Sequence, residues 1–117
     1  MNFPYWNVRG FGNSDTKIAL KIFYLSLMPF IIFLAEPMVT FEQVPSCYWH
    51  NISVTKYCTN VRDNMMPNLL ALWGSEITAS VIFVSSQCIA LELTWKQCYV
   101  YIVAIYASNS YLTRHPL

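Results

Sequence analysis

The sequence predicts a mixed α/β fold that begins with a β-α-β unit and continues as mostly antiparallel strands. The first 34 residues contain, in order, an aromatic strand, a glycine-containing loop, a helix and a second, wholly apolar strand. From residue 68 to residue 106, stretches rich in β-branched and aromatic residues alternate with short polar segments, as expected of strands joined by turns. The length of 117 residues is typical of one domain.

The first strand is predicted over residues 2–8, and residues 9–12 contain two glycines that indicate a loop after it. Residues 13–15 are Asn, Ser and Asp, which are good N-caps for a helix over residues 16–27. We expect the helix to end there because Met28 precedes a proline, which disfavours helical backbone at that residue.

The predicted helix has the pattern of an amphipathic segment. Its apolar residues Ile18, Ile22 and Leu25 recur at helical spacing. Lys17 and Lys21 lie one turn apart on another face. The pattern supports the helix and predicts which of its faces is apolar.

The second strand is predicted over residues 30–34, where a continuous apolar run is typical of a strand buried on both faces. Glu36 follows directly and stands alone before a proline. Because α/β folds place ligand-binding groups at the carboxyl ends of their strands, Glu36 is a candidate functional residue.

The remainder of the chain is predicted mainly as strands and loops. Residues 38–44 have a weak helical tendency. The segment 46–55 is predicted as a strand on its aromatic and β-branched residues, and 56–67 as a polar loop. Further strands are predicted at 68–74, 79–86, 88–93 and 99–106, with a turn at 95–97 and a polar, turn-like segment at 107–117.

The composition excludes a disordered chain and gives no electrostatic evidence for a nucleic-acid or anionic-membrane partner. Hydrophobic residues make up 56% and charged residues 11%, so the chain is too apolar to be disordered. The formal net charge is +1, which gives no basic footprint for nucleic acid or an anionic membrane. The two classes that remain are a small membrane protein and a β-rich domain whose apolar surface would be covered by a partner.

A membrane protein is the weaker of these two alternatives. The apolar run over residues 18–35 contains a lysine and a proline, and the run over residues 69–91 contains Glu76. A spanning helix needs about 20 mostly apolar residues, and an intramembrane carboxylate is unfavourable. The four cysteines form no C-x-x-C pair, so we expect reduced, mostly buried thiols rather than a zinc site.

Three stretches carry a resemblance to a known family. They are WNVRG over residues 6–10, PFIIFLAEP over residues 29–37 and IYASN over residues 105–109. In this order they resemble the N-terminal part of the endonuclease/exonuclease/phosphatase superfamily, which includes DNase I. The nearest resemblance is to the endonuclease domain of plant LINE-type retrotransposons. It covers the chain from Asn2 to about Arg114 but only about the first half of that domain.

The resemblance implies a fold and a site. The fold would be the N-terminal half of a DNase I-like two-sheet β-sandwich with flanking helices, a truncated, partial domain over residues 1–117. Glu36 would bind Mg²⁺ or Mn²⁺ directly, with Asn7 as the second metal-site residue. Tyr106 would direct its phenol at the phosphate of a DNA substrate, and Arg9 and Asn109 would contact the DNA backbone.

Each of these residues also has a structural interpretation that the residues alone leave open. Asn7 could simply form a turn, and Glu36 could be a solvated loop carboxylate. Tyr106 could belong to an aromatic cluster with Tyr99 and Tyr101.

The sequence lacks two parts of the family's catalytic apparatus. There is no later GDFN-like strand end and no final Asp-His pair, so we expect a degenerate endonuclease with weak or no activity. Because each half of the family domain supplies mostly one sheet, we also expect an exposed apolar sheet face. The alternative function is therefore a non-catalytic interaction protein that self-associates or binds a protein partner, and the expected location is nuclear or cytoplasmic.

Overall fold

The computed structural model describes residues 1–107, which form two β-sheets and two α-helices. The elements, in chain order, are β1 (Tyr5–Asn7), α1 (Ser14–Leu27), β2 (Ile32–Ala35), a 3₁₀ turn (Phe41–Gln43), α2 (Ser46–Asn51), β3 (Lys56–Thr59), β4 (Leu69–Trp73), β5 (Thr78–Ser85), β6 (Cys88–Trp95) and β7 (Cys98–Ile105). The predicted mixed α/β class with two sheets is confirmed.

The first sheet has the strand order β1-β2-β4-β3. β1 and β2 are parallel, with Asn7 opposite Ala35, so the strands and helix α1 form the predicted β-α-β unit. The other pairs are antiparallel. Pro4 lies just before β1, which is an edge strand, and there its missing N–H does not interrupt a central ladder.

The second sheet is an antiparallel meander in the order β5-β6-β7. Its strands are joined by two-residue turns, and Lys96 and Gln97 in the second turn both have positive φ, at 48° and 67°. Two consecutive positive φ values are typical of the tight hairpin turns that match the twist of antiparallel strands.

The two cores of the molecule lie on opposite faces of the first sheet. One core lies between that sheet and the helices and includes Phe11, Leu20 and Trp49. The other lies between the two sheets and includes Phe33, Leu69 and Leu91. The molecule therefore has three layers, with helices, first sheet and second sheet in that order. β2 and β4 are buried along their whole length, as a continuous apolar run predicts.

The buried face of helix α1 is not the apolar face that its sequence predicts. Leu20 and Tyr24, one turn apart, are its buried residues, whereas Ile18, Ile22 and Leu25 are exposed. Spacing alone does not settle which side faces the sheet, because this helix carries apolar residues over much of its circumference. The helix has an Asn13 side-chain cap and ends at Leu27, as predicted, with Met28 as its C-cap.

Two predictions for the middle of the chain are wrong. The segment predicted as a strand over residues 46–55 begins with helix α2, and the predicted loop over residues 56–67 begins with strand β3. In α2, the ring of Trp49 stacks on Phe41 and Phe11 at centroid distances of 4.8 Å and 5.6 Å. Aromatic residues favour strands only weakly, and the burial of Trp49 between two rings overrides that preference here.

The expectation that this half of the family domain supplies mostly one sheet is corrected by the structure. The strands divide between two sheets that pack on each other, and the exposed face is the outer face of the second sheet.

The expected burial of the thiols is also wrong, since Cys47 and Cys98 are exposed and Cys58 and Cys88 half-buried. Within residues 1–107, no helix has the length and apolar character needed to cross a bilayer.

Candidate functional site

The carboxyl ends of β1 and β2 are joined by backbone hydrogen bonds that continue beyond the strands. The amide of Val8 donates to the Ala35 carbonyl at 3.0 Å, and the amide of Gly10 donates to the Glu36 carbonyl at 2.7 Å. The amide of Phe11 donates to the Pro37 carbonyl at 2.6 Å. These bonds fix the loop after β1 against the segment after β2 and bring Glu36 beside Asn7.

Glu36 itself has a left-handed backbone conformation, with φ of 54°. This conformation is uncommon for a residue with a side chain and occurs disproportionately at functional sites. The surrounding structure maintains it, because the Glu36 amide donates to the Asn68 carbonyl at 2.9 Å and its own carbonyl accepts from Gly10. These hydrogen bonds fix the Glu36 backbone at the strand end.

Three of the predicted site residues meet at one oxygen atom. Asn7 Nδ2 donates to Glu36 Oε2 at 3.1 Å, and the Tyr106 hydroxyl donates to the same oxygen at 2.9 Å. Tyr106 follows β7, and its amide donates to the Gln87 carbonyl in the β5–β6 turn at 2.8 Å. The site therefore combines one residue from the end of each of three strands in two sheets.

The phenol of Tyr106 is held in its neutral form. Partial burial raises its pKa above 10.0, and the hydrogen bond to Glu36 and the charge of that carboxylate raise it further. The positive charge of Arg62 acts in the opposite direction. At neutral pH the hydroxyl is thus a hydrogen-bond donor and carries no charge that would repel an anion.

A cavity of about 590 Å³ opens beside this cluster. Glu36 and Tyr106 line it, together with Arg62 and a methionine pair, Met65 and Met66, from the β3–β4 connection. It combines the carboxylates of Glu36 and Asp63 with a neutral phenol, a guanidinium and an apolar wall. Such a mixture suits a charged ligand that also carries an apolar or aromatic group.

The other two predicted residues are not part of this cluster. Arg9 is exposed in the loop after β1 and does not line the cavity. Asn109 lies outside the described residues.

Three residues that sequence reasoning missed also belong to the site or support it. Tyr5 lies two residues before Asn7 on the same strand face, and burial and the charge of Glu36 raise its pKa. Arg62 lines the cavity. Asn60, only 2% exposed, is the buried polar residue of the described chain and connects the β3–β4 segment to the β5–β6 turn. The strand period of two could have identified Tyr5, but no pattern singled out the other two.

The oxygens at this site fit part of a magnesium site. Within residues 1–107, no group of three or more His, Cys, Asp or Glu side chains comes together. Glu36 Oε1 and Asn7 Oδ1 are the oxygens left by the two hydrogen bonds to Oε2. Mg²⁺ needs only one or two protein carboxylates when water and substrate phosphate complete its coordination. Asn7 and Glu36 would therefore hold the ion by two oxygens, with most of its ligands supplied from elsewhere.

Comparison with known proteins identifies the architecture. No family model and no curated protein matches the chain. Among solved structures it is similar to the endonuclease domain of TRAS1, a telomere-specific non-LTR retrotransposon, with a TM-score of 0.62. The two chains share a fold. Their sequences are 8% identical, and the match covers 89% of this chain but 44% of the TRAS1 domain. This chain thus spans less than half the length of its structural neighbour.

Proposed function

We propose that the chain is an endonuclease-like domain derived from a LINE-type retrotransposon of the plant type, within the DNase I-like superfamily. The observation that carries the proposal is the meeting of Asn7 and Tyr106 at one oxygen of Glu36. Their hydrogen bonds to Glu36 span 29 and 70 residues of sequence, so local turn formation does not account for them. The shared fold with a retrotransposon endonuclease domain supports the same origin.

The proposed reaction is phosphodiester hydrolysis in DNA. A bound Mg²⁺ or Mn²⁺ ion would polarise the phosphate and offset negative charge on the leaving oxygen. Glu36 and Asn7 would hold that ion. The neutral Tyr106 hydroxyl has one proton, which it donates to Glu36 Oε2 in the absence of substrate, and it would exchange that bond for one to a phosphate oxygen. By the family resemblance, Arg9 and Asn109 would contact the DNA backbone.

The proposed enzyme is degenerate because a general base for the attacking water is missing. The sequence contains two histidines, His50 and His115, and neither follows an aspartate as the family's base does. His50 lies on α2, away from the cavity. Loss of a general base typically lowers a rate by about 10²–10⁴-fold, so slow nicking rather than efficient cleavage is expected.

Nicking of supercoiled plasmid tests this function. We expect slow nicking with Mg²⁺ that EDTA abolishes and that the Glu36→Gln variant lacks. Glu42→Gln is a matched control, because Glu42 also accepts a hydrogen bond from a tyrosine, Tyr57, but lies outside the cavity. Nicking that is equal in Glu36→Gln and in the unchanged protein would exclude the proposed site.

A second candidate function, a protein-interaction module, is favoured by the outer face of the second sheet. Tyr99, Tyr101, Val103 and Ile105 alternate along β7 with 57–66% of each side chain exposed. β7 carries no charged residue, and within residues 1–107 its other edge pairs with no strand. An uncharged, apolar edge strand is a template for pairing with another strand.

For this second candidate we propose self-association, with β7 of one copy pairing with β7 of another. Sedimentation velocity should then detect a dimer, and Val103→Lys should convert it to monomer. Ile22→Lys, on the exposed side of α1 at 62% exposure, is the matched control and should leave the dimer intact. A monomer at all concentrations would refute this candidate. Both candidates are compatible with a nuclear or cytoplasmic protein.

A further inference from the structure

Two charged side chains of the cavity, Arg62 and Asp63, have no part in the proposed chemistry, and Arg62 is the positive one. It lies in the β3–β4 connection and lines the cavity together with Glu36 and Tyr106. Its Nη1 donates to the Met66 carbonyl at 3.0 Å, and its Nη2 contacts Met65 Sδ at 3.2 Å. These hydrogen bonds hold the guanidinium in place through neutral atoms only.

Neutral hydrogen-bond partners leave the positive charge of Arg62 available to a ligand. A guanidinium has five N–H donors in a planar fork, and the two bonds to the methionines use only some of them. Carboxylates and phosphates are the groups that match such a fork with two parallel hydrogen bonds. The donors to Glu36 Oε2 are Asn7 and Tyr106, and the hydrogen-bond partners of Arg62 are the two methionines. An anion that binds Arg62 would therefore not have to displace Glu36 from it.

Two carboxylates, those of Glu36 and Asp63, line the cavity with the guanidinium of Arg62, so an anionic ligand would depend on that positive charge. A phosphate that approaches a carboxylate is repelled unless a positive group lies within a few ångströms. Arg62 lines the same cavity as Glu36 and Tyr106. Beside it, Met65 and Met66 provide an apolar wall against which the sugar or base of the same nucleotide could pack.

We propose that Arg62 binds a DNA phosphate next to the one that faces Glu36, and that the methionine pair packs against the nucleotide between them. The proposal rests on the proposed function and adds a substrate-binding residue to it. Arg62 could alternatively serve only to anchor the β3–β4 connection through its bond to the Met66 carbonyl. The two roles differ in what happens to the salt dependence of DNA binding.

The test is binding of a fluorescein-labelled 20-base-pair duplex, measured by anisotropy in EDTA so that no hydrolysis takes place. Each phosphate contact contributes about 0.9 to the slope of log affinity against log salt concentration. The ratio of the affinity of the unchanged protein to that of a variant without one contact should therefore fall by about 3.5-fold when the salt concentration rises from 50 to 200 mM. We expect Arg62→Gln to show this loss of slope and Arg62→Lys to keep the slope while binding more weakly. Lys21→Gln, the same charge change on the exposed part of α1, is the control.

Each outcome decides the question. A slope that is lost in Arg62→Gln but kept in Arg62→Lys and Lys21→Gln supports the phosphate contact. Equal slopes in Arg62→Gln and Lys21→Gln, or equal loss in Arg62→Gln and Arg62→Lys, would overturn it and indicate an anchoring role. The plasmid assay with Glu36→Gln is independent of Arg62. If the protein nicks DNA but Arg62→Gln leaves the salt slope unchanged, the proposed function stands and the proposed phosphate contact is rejected.

Discussion

Replacement of the buried Asn60 is expected to destabilise the protein and to disturb the two segments beside the site that Asn60 joins, the β3–β4 connection and the β5–β6 turn. Asn60 Oδ1 accepts hydrogen bonds from the amides of Asn68 and Leu69, both at 3.0 Å. Its Nδ2 donates to the Ser86 carbonyl at 3.0 Å and to the side chain of Asn68. In Asn60→Ala all of these bonds are lost.

The magnitude follows from how well water can replace each bond. Leu69 is fully buried, so its amide would be left without a partner, at a cost of about 1–3 kcal/mol. Asn68 is half-buried and contributes about 1 kcal/mol for a net hydrogen bond lost. Ser86 is exposed, and its carbonyl can bind water instead. We therefore expect the free energy of unfolding to fall by about 2–4 kcal/mol.

Urea unfolding followed by tryptophan fluorescence measures this effect. With a urea m-value of about 2 kcal/mol per molar, the midpoint should fall by about 1–2 M. The control is Asn51→Ala, at the exposed end of α2, which should change the free energy of unfolding by no more than about 0.5 kcal/mol. An Asn60→Ala midpoint that shifts no further than that of Asn51→Ala would refute the assigned role.

Two further predictions concern the helices. Met28 caps α1 with φ of 49° and is 75% exposed, so Met28→Gly should relieve left-handed strain and raise the melting temperature by about 2–5 °C, whereas Met28→Ala should not. Burial raises the pKa of Tyr24 and of Tyr48 to about 12, and an unfolded tyrosine ionises near 10. The folded state therefore keeps these protons while the unfolded state loses them, so stability is unaffected below pH 10 and falls between pH 10 and 12. Urea midpoints across that range should fall less steeply in Tyr24→Phe than in the unchanged protein, and equal slopes would contradict the assignment.

The sequence predicts those helices and strands that have a local signal, such as an apolar run, a helix cap or a short polar turn. The β-α-β unit and the meander of the second sheet follow from apolar runs, a capping Asn13 and short polar turns. Helix α2 could not be predicted, because the stacking of Trp49 on Phe41 and Phe11 is a contact between distant segments. The exposed apolar side of α1 shows the same limit, since periodicity identifies faces but does not say which one meets the sheet.

The candidate site was predictable in part. Glu36 is identified by its position at a strand end, and Asn7 becomes its neighbour through the parallel register of β1 and β2. Tyr106 needed the family resemblance, because the meander brings it back across the sheets over 70 residues. Asn60 and Arg62 carry no local pattern, and their importance comes from which segments they join.

The hydrogen bond between Glu36 and Tyr106 has a consequence for how the protein folds. Glu36 can meet Asn7 as soon as the first 36 residues have paired, but it meets Tyr106 only when the last strand joins the meander and both sheets dock. Closing such long loops slows folding, and nascent chains acquire their contacts in order of synthesis. An intermediate with only the N-terminal unit formed would have Asn7 and Glu36 in place but lack the phenol. The complete site therefore exists only when the two sheets have docked.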